Sequence, residues 1–89
     1  MKLLIKNEII DLSFYHRIRK HSIPYTEDTP KFQKRDGETS HSYIVFDYKR
    51  AIHEETSYWL EYDTKAKRDD AFNQIISWCK YRETLENIT

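Results

Sequence analysis

Four histidines, His16, His21, His41 and His53, are the side chains of this 89-residue chain best suited to move a proton near neutral pH or to bind a metal. Their spacing offers neither a pair nor a cluster. His16 and His21 differ by five, which puts them on opposite faces of a strand. A single cysteine, Cys79, at these separations makes no zinc pattern. His53-Glu54-Glu55 lacks the second histidine of a helical metalloprotease motif, and one glycine in the whole chain leaves no glycine-rich phosphate loop. The chemistry left open is a metal-independent nuclease assembled across a sheet, with His or Glu as general base and Arg stabilising the phosphorane. Nothing in the spacing positions those groups, so the expectation is a protein that is not an enzyme and needs no cofactor or metal.

Aromatic and arginine side chains form the stronger pattern. The chain holds seven Tyr, four Phe and two Trp, and an alternating strand reading puts Tyr15, Arg17, Arg19, Tyr43 and Trp59 on one sheet face, with Val45. A long polar segment adds Phe32, Lys34 and Arg35. Exposed rings beside arginines serve single-stranded nucleic-acid binding, where bases stack and Arg meets phosphate. Tyr, Trp and Arg are equally the residues enriched at protein interfaces. Asp47 and Glu61 on the same face would repel phosphate, and 15 Lys/Arg against 15 Asp/Glu leave no net charge to draw a polyanion. A protein partner, or a second copy of the chain, is therefore the favoured ligand, with nucleic acid the alternative.

The elements that would position these residues are readable in outline. Lys2 to Ile5 and Ile9 to Leu12 read as a hairpin reversing at Asn7-Glu8, and Ser13 to Ile23 as a longer strand with Phe14, His16 and Ile18 opposite the basic, aromatic face. Residues 24–42 hold both prolines and the glycine and read as a loop, with a turn at Asp36-Gly37 and a short edge strand around Phe32. Tyr43 to Lys49 and Ser57 to Tyr62 alternate cleanly and read as central strands joined by an open loop, RAIHEET. From Thr64 to about Leu85 neither Pro nor Gly interrupts the chain, Asp63 and Thr64 can cap a helix, and Ala71, Phe72, Ile75, Ile76, Trp78, Cys79 and Leu85 form a wide apolar face. KAKRDD at its start reads as a solvated turn. The expected fold is α+β, one domain over 1–89: an antiparallel sheet of four or five strands in meander order, covered on one face by a single C-terminal helix over Phe14, Ile18, Ile44, Phe46 and Leu60. Outward Tyr81 and Arg82 are the helix's own contact candidates.

Charge is uneven along the chain: residues 1–35 carry eight Lys/Arg against four Asp/Glu, and residues 36–63 carry two against seven. Such a dipolar surface suits a protein partner. One cysteine excludes an intramolecular disulfide, the three apolar residues before Lys6 are too few for a signal-peptide core, and no run approaches a membrane span. The expected setting is cytoplasmic, with no membrane contact. In size and class only, the chain looks like the small accessory proteins of phages and mobile elements, which bind and modulate a larger host protein. That likeness carries no residues across.

Overall fold

The structure, a computed structural model, describes the backbone at residues 2–52 and 55–88 and the side chains at 2–50 and 55–79. Strands β1 (Lys2–Ile5) and β2 (Glu8–Asp11) form a hairpin. Its two-residue turn is Lys6-Asn7, one position earlier than expected, and both residues have positive φ (51° and 64°). That is the geometry whose twist matches paired antiparallel strands, and asparagine is among the side chains that tolerate it.

Beyond the hairpin the chain does not continue one sheet. Asp11 accepts hydrogen bonds from the backbone and hydroxyl of Ser13, capping a 3-10 turn over Leu12–Phe14. The turn redirects the backbone, and Phe14, expected under the helix, is exposed in it. Strands β3 (Tyr15–Pro24), β4 (Ser40–Ile52) and β5 (Glu55–Tyr62) then make a separate antiparallel meander in the order β3-β4-β5. The strands are thus divided two and three, in place of a single sheet of four or five. Helix α1 (Lys65–Ile88) closes the fold.

Of the two strands expected to be central only β4 is, with β5 at an edge of the three-stranded sheet, and both outrun their expected bounds. β4 extends three residues earlier and three later than 43–49, and its Ile52 pairs with Glu55 of β5, so RAIHEET is mostly strand. His53 and Glu54 lie outside the described residues. The segment between β3 and β4 holds a 3-10 turn at Lys31–Gln33 where an edge strand was expected, because Pro30 opens it and Gln33 and Lys34 donate back to Pro30 and Lys31. Asp36-Gly37 does turn: Glu38 donates to the Arg35 carbonyl and Gly37 has φ +78°.

The core lies between the meander and the helix. Ile44 and Phe46 of β4, Leu60 and Tyr62 of β5, Ile75 of α1 and Ile10 of the hairpin are buried together, with Ile18, Phe72 and Cys79 packed around them. Thr64 caps α1, its hydroxyl accepting from the Lys67 amide at 3.1 Å. KAKRDD is not simply solvated. Arg68 is 3% exposed and its guanidinium donates to the His21 carbonyl (2.9 Å), the Ser22 hydroxyl (3.1 Å), the Tyr43 carbonyl (3.4 Å) and the Asp69 carboxylate (2.8 Å). The apolar period shows which face of the helix packs; the tie at its start is a charged side chain on strand backbone. Asp69 in turn pairs with Arg68 at 2.8 Å and with Lys20 of β3 at 3.7 Å.

Candidate functional site: the outer sheet face and its flanking turn

Register decides which side chains share the face turned away from α1. Pairing aligns Arg17 with Asp47 and Ser57, Arg19 with Val45 and Trp59, and His21 with Tyr43 and Glu61. Four of the expected residues, Arg17, Arg19, Tyr43 and Trp59, are on this face. Tyr15 is not. A bulge between Tyr15 and Arg17 inserts one residue, and a one-residue shift in a strand moves a side chain to the opposite face. Tyr15 stacks on Tyr48 (4.9 Å between centroids) and against Phe46, in the helix-side core. Its burial and the bond to Tyr48 push its phenol pKa up to about 12.

At one end of the face, Asp47 gathers three donors. Arg17 Nε and Arg19 Nε reach one carboxylate oxygen at 2.7 and 3.1 Å, and Ser57 Oγ reaches the other at 2.5 Å. Burial of Asp47 would raise its pKa, but the bonds from Ser57, Arg17 and Arg19 outweigh that and hold the carboxyl well below the usual carboxylate range. The two arginines expected to face a partner are therefore already oriented and partly neutralised. Asp47 was legible as a residue of this face; its role as the hub was not, because its three partners come from the two strands on either side of it, Arg17 and Arg19 from β3 and Ser57 from β5.

From this hub an aromatic stripe crosses the sheet. His21 and Tyr43 meet Trp59 edge to face, each at 5.1 Å, and Tyr25 meets His41 edge to face at 4.8 Å. Val45, flanked in register by Arg19 and Trp59, is fully buried, so Trp59 covers the sheet and is still 42% exposed. Burial, with the nearby Glu61 and Tyr25, raises the Tyr43 phenol above its ordinary value.

The segment between β3 and β4 flanks the far end of this stripe. Phe32, Gln33 and Arg35 line one side of a groove of ≈ 440 Å³, with His41, Tyr43 and Glu61 on the other side. Tyr25 accepts from the Arg35 amide at 3.0 Å, Arg35 lies 3.7 Å from Asp63, and His41 Nδ1 lies 3.7 Å from the Glu61 carboxylate. Phe32 is 79% exposed. Lys34 is exposed and does not line the groove, and Tyr81 and Arg82 lie outside the described side chains. His41, Glu61 and Tyr25 had no place in the expected site; alternation put Glu61 on this face, His41 and Tyr25 read as part of the loop 24–42, and the groove exists only because the 31–35 turn lies beside it.

Among the described residues no group of three His, Cys, Asp or Glu is placed to hold a metal ion, and no helix is long and apolar enough to cross a membrane. Comparison with protein-family models, curated proteins and solved structures finds no match to the chain.

Proposed function

We propose that this chain is a protein-interaction module that binds and modulates a larger protein through the outer face of β3-β4-β5 and the adjoining 31–35 turn, without chemistry of its own. The observation that carries the reading is one face combining partly exposed rings, held edge to face, with arginines already ordered on a buried carboxylate. Rigid aromatic anchors lose little entropy on binding, and such residues dominate interface energetics. The same Asp47 contacts count against the single-stranded nucleic-acid reading, because they spend the charge that phosphates need.

The test begins with capture of partners from the native cell and proceeds to calorimetric titration of the purified partner. Phe32→Ala, at a highly exposed ring, should weaken binding at least tenfold while leaving circular dichroism unchanged. Equal affinity for Phe32→Ala, Arg35→Ala and wild type would remove the reading.

One observation favours a second reading. His41, Tyr43, Glu61 and Arg35 line a single groove, the residue types a metal-independent nuclease needs. In it His41 is the base and Arg35 faces the phosphorane. Incubation with single-stranded RNA, wild type against His41→Ala, decides it; no turnover by wild type ends this reading.

A further inference from the structure

The open edge of β5 differs from every other edge of the sheet in its backbone and its charge. The Tyr25 amide donates to the Thr39 carbonyl at 3.0 Å, and the unshifted register onward pairs Ile23 with His41 and His21 with Tyr43. In an antiparallel ladder bonded pairs alternate with non-bonded ones, so the N–H and C=O of Tyr43 point toward β3. Glu61, its partner on the other side, then has its N–H and C=O turned away from β4, and Trp59 and Ser57 share that direction. The bond from Lys6 Nζ to the Glu61 carbonyl agrees with this geometry. Among the described residues no strand pairs with that edge.

The opposite edge, on β3, is guarded by a bulge at its start, a proline lacking N–H at its end, and Arg17, Arg19 and Lys20 along it. β5, ETSYWLEY, has no Pro, Lys or Arg and is rich in strand-forming aromatics. Its charges are Glu55 and Glu61, with Asp63 just beyond. We propose that the open edge of β5 is a strand-addition site for an extended, basic segment of a protein partner. Main-chain bonds to Ser57 and Trp59 supply affinity, and cations on alternate residues of the added strand meet Glu61 and the Trp59 ring on the outer face. Lys6 shows the complementarity within the chain itself: a lysine is already seated on this edge. The proposal deepens the interaction reading and rests on it.

The probe is an acetylated, amidated octapeptide of alternating Lys and Thr, titrated calorimetrically into the full chain. Saturable one-to-one binding is expected, weakened at least tenfold when the peptide is N-methylated at alternate residues on its bonding edge, or when Glu replaces Lys. Ser57→Pro, which removes the outward N–H together with the hydroxyl bond to Asp47, should lose tenfold or more with its circular dichroism retained. The methylated peptide tests the edge even where Ser57→Pro unfolds. Absence of binding, or equal binding of the methylated peptide, overturns the proposal. So does light scattering that finds a dimer of wild type and a monomer of Ser57→Pro, which assigns the edge to a second copy. A failed peptide titration beside a purified partner that still discriminates Phe32→Ala or Arg35→Ala sinks strand addition alone; a partner indifferent to both sinks the interaction reading itself.

Discussion

Asp47 shows how much one carboxylate can organise when strands bring donors to it. Its pKa is depressed in the folded state, so the stability it contributes is present above the unfolded carboxylate value of about 4 and is lost as pH falls through the folded value. Urea unfolding should therefore show stability declining below about pH 4, and Asp47→Asn should flatten that decline while costing about 2 kcal/mol at pH 7. An unchanged acid limb in Asp47→Asn would assign the acid sensitivity elsewhere. Ser42 is the opposite case. Its hydroxyl is buried without a hydrogen-bond partner, so Ser42→Ala should be neutral or stabilise by up to about 1 kcal/mol, read as a higher denaturation midpoint. Alternation tells which face Asp47 takes; whether it finds partners depends on residues 10 to 30 positions away.

At the scale of elements, the start of α1 is held in two ways that the sequence reveals unequally. Thr64 is readable as a cap from its type and place, and Thr64→Ala should cost about 1 kcal/mol. Arg68 reads as one charge among many in KAKRDD, yet it ties the helix to the backbone of β3 and β4. Arg68→Lys should lose most of what Arg68→Ala loses, about 3 kcal/mol, because an ammonium cannot span the carbonyls and Asp69 with a planar fork. Hydrogen exchange in the first turns of α1 should rise in both variants; a Lys variant matching wild type would show that charge alone suffices. The Tyr15 bulge teaches the same lesson for strands. A period-two pattern carries no mark of the inserted residue, so every side chain before the bulge is assigned to the wrong face.

For the whole molecule, the division into a hairpin and a separate meander has mechanical consequences. The hairpin reaches the common core through Ile10, Leu3 and Ile5, while Leu4 and Ile9 pair across it and stand 72% and 74% exposed. Ile10→Ala should cost about 3 kcal/mol and free the hairpin amides to exchange, whereas Leu4→Ala should change the denaturation midpoint hardly at all. Equal effects of the two would mean the hairpin does not dock through Ile10. The radius of gyration, 15.2 Å against roughly 12 Å for a compact chain of this length, fits a molecule with long unshared surfaces.

By itself the sequence determined the class of the fold, the existence of the helix and its cap, the strands β4 and β5, and the face taken by four of the five candidate sheet residues, Arg17, Arg19, Tyr43 and Trp59. Those follow from short-range periodicity and capping chemistry, which act within a few residues. Tertiary structure alone decided that the sheet divides after Asp11, that Tyr15 turns inward, that Asp47 gathers Arg17, Arg19 and Ser57, and that the 31–35 turn makes a groove with His41, Tyr43 and Glu61. Each depends on pairing register or on contacts between residues distant in the chain, and such contacts leave no periodic trace in it.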